Sequence, residues 1–487
     1  MLFNSLEFAI FFPTVALLHF SLPPNRRWML LLVASFVFYM SWKPEYILLL
    51  LVSISIDYVA ARIMGATSDP RRRRLCLIAS LTGNFTILFA FKYYGFIASS
   101  LAAALGALGI PFHPPRSSLL LPMGISFYTF QAVSYGIDVY RRELPPERNY
   151  GRYALFVTFF PHLVAGPIMR ASALMPQIRT FPPFEYERVV DGLRLMVWGL
   201  FKKVAVADRA AQVVNFVYQD VGAHQGPALT LATLLFAVQI YGDFSGYSDI
   251  ARGAARVFGV DLIQNFRAPY VARSIRDFWQ RWHISLTSWF RDYVYVPLGG
   301  NRVALPRWCF NVMAVFTLSG LWHGANWTFV LWGAFHGACL LASRFTAGLR
   351  ERAAVASGLG GRPALRRAVG VAFTFLLVNV GWVLFRARTL RDALHVLGTI
   401  PFGWAGLASA PFAASGLEHL GVSASEVAVT ALLALIVLVL EGDGTIRPTE
   451  RLAPRPAWVR WPAYYALMLG MLVCGVFDDT PFIYFQF

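Results

Sequence analysis

Charge is scarce in this sequence. Only 14% of its 487 residues are Asp, Glu, Lys or Arg, against about 25% in a soluble globular domain, and that deficit excludes an ordinary water-soluble enzyme. Cysteine is scarce too. Cys76, Cys309, Cys339 and Cys474 form no CxxC pair and lie in or beside apolar runs, which argues against a disulfide framework or a zinc site. The alternating apolar–polar pattern of a membrane barrel is missing, so the spanning elements are helices. There is no internal repeat and no pair of broken helical halves, which argues against a channel or transporter, and no G-x-S-x-G elbow. The first residues, MLFNSLEFAIFFPTVALLHFSL, lack a basic region and a small-residue cleavage site, and read as a retained first span rather than a signal peptide.

What is abundant is apolar sequence, 57% of the chain. Apolar runs lie near 5–22, 28–42, 46–62, 75–100, 118–139, 153–169, 189–207, 228–248, 308–343, 368–385, 425–440 and 461–477. Allowing about 20 residues per crossing gives roughly eleven to thirteen membrane segments. The expected fold class is an all-α polytopic membrane protein, with one membrane-embedded domain over 1–487, core motifs over about 120–345, and spans and a tail over 368–487.

The formal charge of +17 is not a nucleic-acid footprint. Its arginines cluster in short loops such as RRRR (Arg71–Arg74), RRELPPERNYGR (141–152) and RPTERLAPRPAWVR (447–460), as the positive-inside rule requires of cytoplasmic loops. That assignment puts both termini outside, with FRARTLR (385–391) as an exception. The Arg-bearing stretch 343–367 reads as a loop.

Two stretches depart from the apolar background. In RDFWQRWHISLTSWFRDYVYVPLGG (276–300), Ser274 and Asp277 mark a helix start, and Asp277 and Arg281 are spaced i, i+4 in the favourable order. Trp279 and His283 share a face by the same spacing, Trp282 and Trp289 share another, and Pro297-Leu-Gly-Gly stops the element. Taken alone, this is equally an interfacial helix anchored by tryptophan and arginine. The second stretch, LSGLWHGANW (318–327), lies within the run 308–343, which is too long for one span and short for two. Gly320, Gly324 and Asn326 suit a break there, placing His323 at membrane depth near a chain reversal. An intramembrane histidine is a functional hypothesis by default; a hydrogen-bonded packing histidine is its alternative. The two histidines are forty positions apart without ligand spacing, so no metal is expected. A neutral imidazole suits proton abstraction from a hydroxyl that attacks an acyl carbon.

With these residues in view, the chain resembles the membrane-bound O-acyltransferase family, and within it the branch that O-acetylates alginate and related bacterial exopolysaccharides. The resemblance rests on LLPMGISFYTFQAVSYGIDVYR (120–141), FFPHLVAGPIMR (159–170), GLFKKVAVADR (199–209), QIYGDFSGYSDIARGAARVFGVDLIQNFRAPY (239–270), SIRDFWQRWHISLTSWFRDYVYVPLGGNR and LSGLWHGANWTFVLWGAFHG, all in order. It implies a helical cage around a transmembrane channel in the inner membrane. It implies His323 as the membrane-embedded catalytic histidine and His283 as the second polar catalytic position. The implied donor is cytoplasmic acetyl-CoA, and the implied partner a periplasmic esterase-like (SGNH) acetyltransferase that completes transfer to the polysaccharide. Trp279, Arg281, Trp282, Arg291, Asp292, Trp322, Asn326 and His162 are candidates to line the donor pocket or channel, and each also has a structural reading. Asp243 and Asp249 are expected to pair with arginines or orient a histidine. The tail DDTPFIYFQF reads as an aromatic anchor at the membrane surface or, in the sharper reading, presents Tyr484 as an acyl relay. Transfer to peptidoglycan or teichoic acid is the alternative within the class.

Overall fold

A chain in lipid must satisfy its backbone hydrogen bonds internally. The apolar runs accordingly become helix in the computed structural model, which describes residues 1–115, 119–402, 422–477 and 482–483. No strand occurs among the described residues. The chain is an all-α multi-pass membrane protein. Among the described residues, Tyr46–Ala66, Pro70–Ala107, Gly226–Val257, Pro363–Arg386 and Ala424–Glu441 are each long and apolar enough to cross a bilayer.

Two compact units divide the chain. The first, Met1–Met196 with Ser248–Ile263, contains α1 (Leu6–Ser21), α2 (Arg27–Met40), α3 (Tyr46–Ala66), α4 (Pro70–Leu88), α5 (Tyr94–Ala107), α6 (Ile125–Arg141), α7 (Tyr150–Thr158), α8 (Phe160–Leu163), α9 (Ala171–Arg179) and most of α10 (Tyr186–Leu200). Helix α3 shows why such a run folds as it does. Its buried positions are Leu50, Ser53, Ile54, Asp57, Ala60, Ala61 and Met64, a stripe at helical period. Val52, Val59 and Ile63 stay exposed, as lipid-facing residues should. The buried Asp57 carboxylate accepts from the Ser80 hydroxyl and, at 3.0 Å, from the Asn84 amide. A carboxylate in a span is tolerated because α4 brings it these donors. Helix α6 is buried almost all round, and its buried residues include the polar Ser126, Thr129, Gln131, Ser134 and Asp138.

The second unit, Val197–Tyr247 with Gln264–Phe487, contains α11 (Asp208–Gln219), most of α12 (Gly226–Val257), α13 (Ile275–Arg281), α14 (Ile284–Phe290), α15 (Leu305–His323), α16 (Trp327–Phe345), α17 (Ala347–Ala356), α18 (Pro363–Arg386), α19 (Leu390–Phe402), α20 (Ala424–Glu441), α21 (Pro448–Leu452) and α22 (Ala457–Cys474). Two readings of the sequence change here. The run 308–343 is two helices of 19 residues each, because α15 starts earlier, at Leu305 with Pro306 in its first turn, and α16 runs on to Phe345. At 1.5 Å per residue each is about 28 Å long. The stretch 343–367 is largely helical rather than a plain loop: α17 lies between the end of α16 and the start of α18.

A buried ionic core holds this unit together. The π-helical turn Phe201–Ala207 carries Lys202 and Lys203, which are 1% and 3% exposed. Lys202 Nζ lies 2.9 Å from Glu441 Oε1 on α20. The Tyr241 hydroxyl of α12 also donates to Glu441, and the Trp198 indole N–H reaches it at 3.4 Å. Lys203 Nζ lies 2.7 Å from Asp208 and 2.9 Å from Asp243. Asp243 therefore pairs with a lysine rather than an arginine, whereas Asp249 pairs with Arg252 at 3.4 Å. Removing one partner of a buried pair leaves the other uncompensated, at about 3–5 kcal/mol; removing both costs far less. Lys202→Met should therefore lower the unfolding midpoint in detergent markedly, and the Lys202→Met/Glu441→Gln double variant should recover most of that loss. Additive losses in the two single variants and the double would contradict this coupling.

Candidate active site

The site is built on a helical hairpin in the second unit. Helix α15 ends at His323, the chain turns through Gly324–Asn326, and α16 starts at Trp327. The reversal expected around LSGLWHGANW is present. What lets the two helices approach is glycine: a Cβ on Gly320 would lie 2.1 Å from the Phe329 carbonyl oxygen, and one on Gly333 2.1 Å from that of Phe316. No larger residue fits against backbone at that distance, which is the close packing that small residues allow between membrane helices. His323 is 3% exposed. Its ring lies among Trp322, Trp332 and Phe385 at centroid distances of 5.0, 5.0 and 5.5 Å.

His283 reaches the same cluster by a different device. The single helix expected through 276–295 is broken: α13 stops at Arg281, and His283 caps the start of α14 at φ 45, ψ 53. This left-handed conformation costs an L-residue about 1–2 kcal/mol. Asn265 braces it: its carbonyl oxygen accepts from Ile284 N–H at 2.9 Å, and its side-chain oxygen accepts from Ser285 N–H at 3.1 Å. The break turns the expected face-sharing around. Trp279 packs on His336, Trp332 and Phe316 instead of sharing a helical face with His283, and Trp282 packs on Trp382 at 4.9 Å rather than sharing a stripe with Trp289. His283 instead faces Phe244 at 4.6 Å, Trp322 at 5.9 Å and His323 at 6.1 Å. Two imidazoles forty positions apart in the chain thus lie side by side in an aromatic enclosure. Burial pushes the His283 pKa down and keeps its ring neutral. No group of three or more metal-ligating side chains occurs among the described residues.

The other candidate residues take clear places. Trp322 packs against both histidines, at 5.9 Å from His283 and 5.0 Å from His323. Ser274 caps α13 through the Asp277 N–H, and Asp277 pairs with Arg281 at 2.6 Å, both as the spacing predicts. Arg281 also donates to the carbonyl oxygens of Arg267 and Asp443, so its guanidinium ties three segments together. Arg291 and Asp292 pair with each other at 2.7 Å, with the Arg291 side chain 65% exposed. Asn326 caps α16 through the Thr328 N–H and donates to the Arg388 carbonyl at 3.0 Å. His162 is buried in α8 of the first unit, where the turn at Gly124 (φ +72) leaves no room for a side chain against Leu163 and Val164. Tyr484 lies outside the described residues. Its neighbours Phe482 and Ile483 are buried, with Phe482 against Phe244 and Tyr247 and the Ile483 N–H donating to Asp243 at 2.7 Å. That burial replaces a surface anchor at these two positions.

Sequence reasoning missed Asn265 and the two buried lysines. QNFRAPY carries no chemical motif that marks Asn265 as a brace, and a KK pair in a greasy stretch reads as a flank. One signal was available: lysines inside an apolar run need acids nearby, and Asp208 directly follows their own run while Asp243 and Glu441 lie in or beside other runs.

Comparison with known proteins adds a lineage to this geometry. The profile of the MBOAT, membrane-bound O-acyltransferase family, matches residues 147–357. The chain is 36% identical over 511 residues to the probable alginate O-acetylase AlgI of Pseudomonas putida, covering all of both proteins. It is 38% identical over 396 residues to the probable alginate O-acetylase AlgI of Pseudomonas aeruginosa, covering 81% of this chain and 73% of that one. It is also 34% identical over 393 residues to the peptidoglycan O-acetyltransferase of Helicobacter pylori, covering 75% and 72%.

The glycine contact generates a test. Gly320→Ala must push α16 away from α15 and displace His323, so it should cost roughly 1–3 kcal/mol of stability and lower activity beyond what the lost stability explains. Ser319→Ala, one position away and without such a contact, is the control. An active, fully stable Gly320→Ala protein would show that the hairpin has slack.

Proposed function

We propose, from the premise that this chain belongs to the membrane-bound O-acyltransferase family, that it is the O-acetyltransferase of an exopolysaccharide such as alginate. It is an O-acyltransferase in a membrane; the acetyl group, its donor and its acceptor are the proposal. The observation that carries it is the pairing of His283 and His323, with ring centroids 6.1 Å apart inside an aromatic enclosure.

In this reading the donor is acetyl-CoA. A substrate hydroxyl delivers its proton to the His323 imidazole as its oxygen attacks the thioester carbonyl. The C–O bond forms, the C–S bond breaks, and the leaving thiolate takes up a proton. A neutral imidazole is suited to that first transfer, and general-base assistance contributes typically 10²–10⁴-fold. His283 holds the acyl carbonyl or the incoming hydroxyl from the opposite side. The surrounding indole and phenyl rings exclude water, which would otherwise hydrolyse the thioester. The acetyl group is then held as an ester on that first hydroxyl; on the far side of the membrane a hydroxyl of a periplasmic esterase-like partner attacks the ester, the carrier oxygen regains a proton as its C–O bond breaks, and the partner passes the acetyl to a polymer hydroxyl. Tyr484, as an acyl relay, belongs to this same reading.

The peptidoglycan O-acetyltransferase of Helicobacter pylori supports a second reading, in which the acceptor is a cell-wall polymer; its identity lies close to that of the alginate O-acetylases. Acceptor assays with purified alginate and peptidoglycan separate the two.

The decisive measurement is CoA release from acetyl-CoA by protein in nanodiscs. His323→Ala, checked for folding by size exclusion, should lose at least about a hundredfold in rate, and His283→Ala should lose activity as well. Wild-type turnover in both variants would remove the histidines from the chemistry. No turnover by the wild type with both a polymer acceptor and the periplasmic partner present would remove acetyl-CoA as donor.

A further inference from the structure

The four arginines Arg71–Arg74 read from sequence as a topology anchor, yet the structure separates one from the rest. Arg73 is buried, and its guanidinium donates to the carbonyl oxygens of Met64, of Val139 at 2.9 Å and of Tyr140 at 2.7 Å. These are last-turn carbonyls of α3 and α6; that of Val139 also accepts from the Arg142 N–H at 3.1 Å. Arg71, Arg72 and Arg74 remain exposed.

A cavity of about 660 Å³ lies at this junction, lined by Thr67, Ser68, Arg73, Val139, Arg142 and Pro146 among others. All of it belongs to the first unit. Arg142 caps α6 in the left-handed conformation, at φ 63, a position where glycine is the usual residue. An arginine there places an exposed guanidinium on the rim. The nearby acids do little to neutralise the arginines. Asp69 caps α4 through the Arg71 N–H at 2.9 Å and lies 3.7 Å from Arg72. Glu147 is held by Arg179 at 2.6 Å and by the N–H groups of Arg148 and Asn149. Glu143 is exposed.

Beside the cavity, the same helices turn apolar side chains outward: Val59 and Ile63 on α3, Leu75 and Ile78 on α4. Helix α3, and the continuous helical segment Pro70–Ala107 that α4 begins, are long and apolar enough to span a bilayer, so the arginine-bearing start of α4 and the end of α3 lie where headgroups are found. A cationic cavity with an apolar flank fits a molecule with a phosphate at one end and acyl chains at the other.

We propose that this cavity binds a phosphate ester, specifically the headgroup of an anionic phospholipid, with the phosphate at Arg142, the exposed Arg71 and Arg74 next to the lining adding positive potential, and the acyl chains along the outer faces of α3 and α4. Arg73 builds the floor and is committed to backbone carbonyls.

The test uses the full chain in zwitterionic detergent, read by native mass spectrometry and by the thermal unfolding midpoint. The ligands are phosphatidylglycerol, phosphatidylcholine with the same acyl chains, and inorganic phosphate. Wild type should retain phosphatidylglycerol and gain in midpoint, with no comparable response to phosphatidylcholine. Arg142→Gly removes the guanidinium and installs the residue this cap favours, so the lipid-free midpoint should hold or rise while phosphatidylglycerol affinity falls about tenfold. An Arg71→Ala/Arg74→Ala variant should also bind more weakly. A response to inorganic phosphate equal to that of the lipid would keep the phosphate site and make its occupant a soluble ester. Equal phosphatidylglycerol binding by wild type and both variants, or equal binding of the two lipids, would overturn the proposal.

Discussion

Inside the second unit the buried lysines persist only where carboxylates neutralise them, and the rest of that unit is arranged around the requirement. Lys202 with Glu441 and Lys203 with Asp208 and Asp243 cross-link α11, α12, α20 and the π-helical turn at Phe201–Ala207. Tyr241, on α12, contributes its hydroxyl to Glu441 and its ring to the packing around Trp282, the residue before His283. The ionic core and the histidine enclosure thus share helix α12. Phe244, one residue after Asp243, lies against His283. An exposed surface ion pair such as Arg366–Glu351 has no comparable reach, since water competes for both partners.

Much of this was legible in the sequence, and for a physical reason. Apolar continuity reports helix in lipid directly, so α2, α3, α18 and α20 fall where the runs fall. Local capping chemistry was legible as well: Ser274, Asp277 and Arg281 lie within one turn or two of each other, and their geometry follows from spacing alone. What resisted reading was anything that depends on long-range approach. The break at His283 is stabilised by Asn265 from a different segment, so the periodicity of 276–295 looked continuous. The hairpin of α15 and α16 was visible as a glycine-rich interruption, but its tight backbone contact depends on Phe329 and Phe316, which carry no such signal. The juxtaposition of His283 and His323 is of this second kind. Only the family resemblance paired them in advance; spacing alone gave two separate histidines, each with a bland structural explanation.

The enclosure has a chemical logic of its own. Tryptophan and phenylalanine rings offer bulk without donors or acceptors at their faces, so they isolate two imidazoles from water. The same rings fix orientation through edge-to-face contacts, such as Trp332 on His323 at 86°, which favour one ring tilt over another. A site assembled this way is rigid before any substrate arrives, which is what proximity and orientation require of it.

The pairing of Lys202 with Glu441 also sets a timetable for biosynthesis. The two residues are 239 positions apart, and at a synthesis rate of roughly 5–20 residues per second the lysine exists for some 10–50 s before its carboxylate is made. During that interval the Lys202 ammonium lacks the carboxylate it pairs with in the finished fold. An unpaired ammonium in an apolar segment is costly, so the segment around Phe201–Ala207 reaches its full stability only when α20 emerges, and the ionic core of the second unit is completed late in synthesis.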